Sequence, residues 1–284
     1  MALVAAVIIA AGIGLNALRL SVGGVRNLVS PSYWGERYSG HDLYQPVGRI
    51  LKHGNRNFAE IALTFDDGPH PESLPTILRI LAQEQLKATF FLVGKRINEH
   101  PELAREILQR GHEVGNHSQN HFRLTDLPDA KIVAEIEQCA TAFQNATGKR
   151  FHLLRPPGMR FDEHVLKITQ DLDYQIVGWT NAAKDFDSTD NRLGKVTPIE
   201  LADRVTTRVH DGSIILLHDT PQTTQAIELI IARLKGQGFS FVTVSEMLAH
   251  LPNPVVVEAN PAAPPPSKNP ATSTNPQENS SSRH

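Results

Sequence analysis

Cysteine is nearly absent: Cys139 is the only one in 284 residues. A single thiol excludes an intrachain disulfide and any Cys-rich zinc module. It sits in "AEIEQCATAF", on the apolar side of a helical pattern, where a buried thiol is an inert packing group rather than a nucleophile. An excess of one charge is also missing. With 28 basic and 30 acidic residues the formal net charge is -2, so the chain lacks the basic footprint of a nucleic-acid binder. What remains is ordinary: 40 % hydrophobic and 20 % charged residues, enough for one sizeable core or two small ones.

Long apolar runs are missing except at the start. "ALVAAVIIAAGIGLNAL" is apolar from Ala2 to Gly14 and nearly so to Leu18. It is longer than the apolar part of a typical signal peptide and shorter than a span of ~20 residues. No Lys or Arg precedes it, no clean A-x-A site follows, and Arg19 and Arg26 lie after it, against the positive-inside pattern for export. The expectation is an exported chain with an anchor or a poorly formed signal in 1–30, or a start upstream of this Met; a buried helix is the alternative. At the other end, eight of the nineteen prolines fall in residues 252–284. That stretch lacks core-forming residues apart from "VVV" and reads as a disordered or extended tail, of the kind used as a surface spacer. Residues 31–58 read as a lead-in, in which Tyr33 and Trp34 have no assigned role beyond padding the open side of a barrel, and 59–251 as the folded domain.

Inside the domain, short apolar runs alternate with helical patterns. Seven strands are expected at Ile61–Phe65, Ala88–Val93, Glu113–Asn116, Phe151–Leu154, Tyr174–Trp179, Ser213–Leu217 and Ser240–Val244. Helices are expected near Ser73–Gln85, Pro101–Arg110, Asp129–Thr147, Asp162–Asp171, Pro198–Val209, Gln222–Lys235 and Ser245–Leu251. Pro101 and Pro198 suit a first turn, where a missing N–H costs nothing; Gly111 and Gly148 suit C-caps. The alternation predicts an α/β fold with a parallel sheet and right-handed crossovers, either a closed barrel or an open doubly wound sheet.

In a barrel the working residues gather at the C-terminal strand ends. Asp66 and Asp67 follow the first strand in "TFDDGP", and His117 and His121 follow the third in "HSQNH". Arg155 opens "RPP" after the fourth, Lys184 and Asp185 come after the fifth, and His218 and Asp219 end the sixth. Each has a plain reading as solvated loop charge. Two histidines four apart share a face on one helical turn and can share a metal, yet such pairs are more often surface. Beside an acidic strand end the balance changes. Two His and one Asp make a three-ligand set with an open position for water, and the cation relieves the repulsion between adjacent carboxylates. The second carboxylate then faces that water as a base. Arg155 is either a surface ion pair or a partner that fixes a carboxylate's direction. His218, after "SIILL", is either a satisfied core residue or an acid working near neutral pH, with Asp185 raising its pKa. Asp219 reads equally as a solvated neighbour. Base, activated water and acid together describe metal-assisted hydrolysis. The acid matters most when an amine leaves, so C–N cleavage is preferred over ester cleavage.

In this order, "TFDDGP", "HSQNH", "RPP", "W…KDF" and "LLH" resemble the five motifs of the polysaccharide deacetylase family, carbohydrate esterase family four, with its NodB-homology domain. The resemblance spans about Ile61 to Leu251. It implies a distorted, incomplete (β/α) barrel of about seven parallel strands. It implies Asp66 as catalytic base, held by Arg155; Asp67, His117 and His121 as ligands of a divalent metal, zinc with cobalt or nickel as substitutes; and His218 as acid, tuned by Asp185. Leu216 would line the acetyl pocket and the Gly158 N–H would serve the oxyanion. The implied substrate is an N-acetylated polysaccharide, chitin-type oligomers or peptidoglycan, deacetylated at N-acetylglucosamine units by metal-bound water outside the cytoplasm. The sequence leaves membrane attachment through 1–30 and oligomeric state open. The rivals are an O-acetyl esterase on xylan-type polymers, a hydrolase of small cyclic amides, and a carbohydrate-binding protein without catalysis. Two positions depart from the family: Gly158 stands where a Tyr is usual and Phe186 where a Trp is usual, which bears on the substrate more than on the metal and proton chemistry. Aromatics are 6 % of the chain and Trp179 is the one candidate near the rim, so the expected sugar groove is short.

Overall fold

A computed structural model describes residues 50–185 and 196–251. The apolar start, Tyr33, Trp34, Phe186 and the proline-rich tail lie outside the described residues. The described helices include none long and apolar enough to cross a membrane.

Nine strands and eight α-helices are present among the described residues. The strands are β1 (Ile50–Leu51), β2 (Glu60–Asp66), β3 (Thr89–Leu92), β4 (Glu113–Asn116), β5 (Leu153–Leu154), β6 (Gln175–Val177), β7 (Asn181–Ala182), β8 (Ser213–His218) and β9 (Ser240–Phe241). The helices are α1 (Leu74–Gln83), α2 (Gly94–Glu99), α3 (Pro101–Gln109), α4 (Asp129–Thr147), α5 (Glu163–Asp171), α6 (Pro198–Thr206), α7 (Pro221–Gly236) and α8 (Val244–Ala249). All strand pairs are parallel, in the order β1-β6-β5-β4-β3-β2-β8-β7, with β9 added beside the first residues of β2. The ends of this curled sheet, β1 and β7, do not pair. The fold is therefore the distorted, incomplete (β/α) barrel that the motifs imply. It has nine strands rather than about seven because β1 and β7, two residues each, are too short to show a period. β1 also starts the sheet inside the stretch that reads as a lead-in.

Strand alternation divides the apolar residues cleanly. Ile61, Leu63, Phe65, Phe90, Leu92, Ile215 and Leu217 face outward into the main cluster beneath the helices. Ala62, Phe91, Leu153, Val177 and Ile214 face inward and meet Val244 and Met247 of α8. Each fully buried large side chain contributes about 1.5–3 kcal/mol. α8 closes the bottom of the barrel. Its first N–H groups, those of Val244 and Ser245, donate to Thr89 Oγ1 at 3.0 Å and Glu113 Oε2 at 3.1 Å, satisfying a helix start that would otherwise be bare. The helix ends follow their local chemistry. Gly148 ends α4 with φ +71° and donates to Gln144 O, and Thr197–Glu200 and Thr243–Glu246 form capping boxes.

Candidate active site

β2 lies in the middle of the sheet, between β3 and β8, and ends on Asp66. Asp66 is in register with His218 at the end of β8. Successive strand residues point to opposite faces, so Asp67 should turn away from Asp66. It does not, because its backbone is left-handed at φ +72°, a region that Asp tolerates better than most residues. Arg96 of α2 donates to the Asp67 carbonyl and holds the turn. Both carboxylates thereby face one rim: His117 Nε2 lies 3.7 Å from Asp66 Oδ2 and 3.4 Å from Asp67 Oδ1.

His117 arrives by strand parity. Glu113, Gly115 and His117 alternate along the inner face, and a Cβ on Gly115 would run into the Phe91 ring. His121 does not arrive on a helical turn, which corrects the expectation from its spacing. Residues 117–121 form a loop with Ser118 at φ +64° and His121 at φ +59°, values that no α-helix holds. The loop still brings His121 Nε2 to 3.1 Å from Asp67 Oδ1, with the two imidazole centroids 5.0 Å apart.

Ligand atoms of Asp67, His117 and His121 all lie within 4.8 Å of one another. Their chemistry fits a cation. His117 Nδ1 sits 2.6 Å from the Arg155 carbonyl; a carbonyl only accepts, so Nδ1 carries the proton and the neutral ring turns a lone pair at Nε2 toward Asp67. Asp67 Oδ1 is buried without a hydrogen-bond partner of good geometry. Acceptors converging on one point call for positive charge.

Arg155 is not a surface ion pair: it is fully buried. It extends the inward alternation of β5 one residue past the strand. Nη1 donates to Asp66 Oδ1 at 2.6 Å and Thr64 Oγ1 at 2.8 Å, Nε to Val177 O at 3.0 Å, and Nη2 to Gly178 O at 2.9 Å. Its guanidinium carbon lies 4.1 Å from the Phe91 ring centre and 5.6 Å from that of Trp179. The fork therefore ties β2 to the ends of β6 from beneath the site and fixes one oxygen of Asp66, leaving Oδ2 toward the rim.

His218 is gripped by Asp185. Asp185 Oδ1 lies 2.7 Å from His218 Nδ1, Oδ2 accepts the His218 backbone N–H at 2.7 Å, and Thr223 donates to the same Oδ2. Asp185 is buried, three residues beyond β7, where left-handed Lys184 bends the chain back toward β8. Burial alone would lower the His218 pKa. The bond from Asp185, then its charge and those of Asp66 and Asp67, raise it above the ordinary histidine value.

Leu216 is buried two residues before His218, between Thr64 and Ala182. Gly158 is exposed in the 3₁₀ turn that follows Arg155, at φ +61°, a conformation that a Tyr would hold only with strain. Asp219 is not a solvated neighbour. It is 1 % exposed, accepts Ser73 Oγ at 2.5 Å and the His70 N–H at 2.8 Å, and donates its own N–H to Asp66 O at 3.0 Å. It anchors the loop after β2, and burial, against those two hydrogen bonds, pushes its carboxyl up to about 6. Trp179 is half-buried against the inner cluster, while Phe122, directly after His121, is 53 % exposed and is a rim aromatic that composition alone does not reveal.

A family model described as polysaccharide deacetylase matches residues 53–177. The chain is 34 % identical over 210 residues to a peptidoglycan-N-acetylglucosamine deacetylase of Bacillus cereus, an alignment covering 72 % of this chain and 96 % of that one. It is 34 % identical over 197 residues to the peptidoglycan-N-acetylmuramic acid deacetylase PdaA of Bacillus subtilis, covering 69 % and 73 %. Among solved structures it is similar to a wild-type pseudoenzyme of carbohydrate esterase family four from Bacillus anthracis, with a TM-score of 0.67 and 30 % identity over 72 % of this chain and 70 % of that one. With Asp66, Asp67, His117, Arg155, Asp185 and His218 gathered on one rim of an incomplete barrel and one 34 % identical relative matched over 96 % of its length, the chain belongs to the polysaccharide deacetylase family.

Proposed function

We propose that the protein is a metal-dependent hydrolase that removes N-acetyl groups from N-acetylglucosamine units of an envelope polysaccharide, peptidoglycan before chitin-type oligomers. The observation that carries this is the convergence of Asp67, His117 and His121 beside a second carboxylate fixed by a buried arginine. The relatives named for peptidoglycan deacetylation favour that polymer.

Asp67, His117 and His121 would hold the divalent cation, zinc with cobalt or nickel as substitutes; when bound, it supplies a Lewis acid for the acetyl carbonyl and makes water acidic enough to attack near neutral pH. Asp66 is the base. Its Oδ1 is committed to Arg155 and its Oδ2 takes the proton of the attacking water. The Gly158 N–H supports the developing oxyanion and Leu216 lines the acetyl pocket. His218 is the acid. Asp185 holds its Nδ1 and raises its pKa, which favours the protonated ring that gives a proton to the departing nitrogen, so that it leaves as a neutral amine rather than an amide anion. Each turnover leaves Asp66 with one extra proton and His218 with one fewer, and a return of that proton resets the pair.

This chemistry sits in a catalytic domain over 59–251, working outside the cytoplasm with 1–30 as signal or anchor and 252–284 as a spacer. A second reading is a polysaccharide-binding protein without catalysis, since one solved relative is described as a pseudoenzyme; the complete set of ionisable groups here supports activity. Acetate release from peptidoglycan and from chitin oligomers, with metal-stripped and reloaded protein and Asp66→Asn beside wild type, tests the reading. Metal-requiring acetate that vanishes in Asp66→Asn is expected. Binding to the polymer with no acetate from either substrate would overturn it.

A further inference from the structure

The three groups proposed to hold metal are not equally secured. Asp67 sits at the end of the central strand with its carbonyl held by Arg96. His117 sits one residue beyond β4 with its Nδ1 on the Arg155 carbonyl. His121 has neither support. Its side chain is 45 % exposed, and among the described residues its Nδ1 makes no hydrogen bond. The placement of its ring therefore rests on the backbone of the 117–121 loop, which carries two residues in the left-handed region. Such a turn costs about 1–2 kcal/mol per left-handed residue and persists only where its surroundings over-determine it.

Those surroundings can be named. The loop carbonyls of Ser118 and Gln119 accept the first N–H groups of α2, from Gly94 at 3.0 Å and Lys95 at 2.9 Å. Within the loop, Ser118 Oγ accepts the His121 N–H at 3.0 Å. From the other side comes Glu135, in the second turn of α4 and only 6 % exposed. Its Oε2 accepts the Asn120 backbone N–H at 2.8 Å and its Oε1 accepts Asn120 Nδ2 at 2.7 Å. Both carboxylate oxygens are spent on the residue immediately before His121. No cation pairs with Glu135 among the described residues, so this buried carboxylate is satisfied by the loop. Hydrogen bonds to an ionised acceptor are stronger than neutral ones, and a buried carboxylate without them is strongly disfavoured.

We infer that Glu135 is a positioning residue for metal binding: it clamps Asn120 and so aims His121 at the cation that Asp67 and His117 also hold. The inference rests on the metal reading of those three residues and adds a part to it that touches neither metal nor substrate. A glutamine at 135 keeps both bonds, because its amide oxygen accepts the backbone N–H and its amide nitrogen donates to a flipped Asn120 side chain. An alanine keeps neither.

The test is metal affinity of the full chain, with zinc and cobalt competed against a chromophoric chelator and the d–d absorption of the cobalt form recorded, alongside thermal melts without metal. Loss of an outer-shell partner weakens metal binding by about 10–100-fold. Glu135→Ala is expected in that range with an altered cobalt spectrum, and Glu135→Gln short of about tenfold, the lower end of that range. Asn120→Ala, at an exposed position, keeps the backbone bond and should show an intermediate loss with unchanged melting, which guards against a misfolded Glu135→Ala. Glu137→Ala, exposed on the same helix, should match wild type. If wild type binds metal and both Glu135→Ala and Asn120→Ala bind it as tightly, the clamp is overturned alone. If wild type binds neither ion, the metal reading falls and takes the clamp with it.

Discussion

Arg155 Nη1 lies 2.6 Å from Asp66 Oδ1, and the two side chains are 0 % and 4 % exposed. An ion pair this deep is maintained by geometry rather than by attraction alone. Removing one partner strands the other's charge, at about 3–5 kcal/mol. Arg155→Lys offers one compact donor group where the fork serves four acceptors. It is expected to destabilise the fold by roughly 3 kcal/mol or more in urea unfolding. Asp66→Asn keeps an acceptor oxygen, so it should cost less in the same experiment while abolishing acetate release.

The His218–Asp185 pair sets a pH limit. His218 has its pKa raised when folded, chiefly by Asp185 against burial. As an acid it must be protonated, so the basic limb of kcat/KM should lie above the ordinary histidine range. Asp185→Asn removes the raising charge and should move that limb to lower pH. The same group contributes stability that is present below the unfolded histidine pKa and lost as pH rises through the higher folded value. An unshifted limb in Asp185→Asn would rule out His218 as the titrating acid.

Asp219 acts in the opposite sense to a carboxylate held by a cation. Its folded pKa is pushed up to about 6 from 3.8. The folded state thus holds a proton that the unfolded chain has released, and stability tied to Asp219 is full below about pH 4 and lost as pH rises through about 6. Asp219→Asn cannot ionise. Its melting temperature relative to wild type should rise across that window and level off above it, as thermal melts in a pH series would show.

Metal and fold should be linked. A ligand that binds only the folded state adds about 2.7 kcal/mol of stability at a hundredfold excess over Kd. Zinc should raise the melting temperature of wild type, and chelator should reverse the gain together with acetate release. Asp67→Asn and His117→Ala should show neither response. A zinc shift that survives in both variants would place the ion elsewhere on the protein.

Much of the frame was legible because long strands announce themselves. Ile61–Phe65 and Ser213–Leu217 are mostly apolar runs, and both proved to be strands paired on both sides with their ends on the rim. The short pieces were not legible. β1 and β7 have two residues each, and α2, "GKRINE", has no apolar period. The site residues could be gathered by following strand ends, but the routes differed. His117 and His121 are four apart, which suggests a helical face, whereas His117 belongs to the inward alternation of β4 and His121 to a left-handed loop. Arg155 reads as a loop residue before two prolines, since only the curvature of the sheet makes its position an interior one. Glu135 and Asp219 are silent in sequence because their partners, Asn120 and Ser73, are set by packing between distant elements.

β2 is paired on one side by β3, the next strand in the chain, and on the other by β8, with β9 beside its first residues. During synthesis the segment bearing Asp66 emerges long before either late partner, and until they arrive one of its edges is bare backbone and its carboxylate has no His218 alongside. Pairings so distant in sequence are slow to form. Chains halted before Ser213 should lack protection, by pulsed hydrogen exchange, at the β2 amides that face β8. The juxtaposition of Asp66 with His218 is thus one of the last that the nascent polypeptide can form.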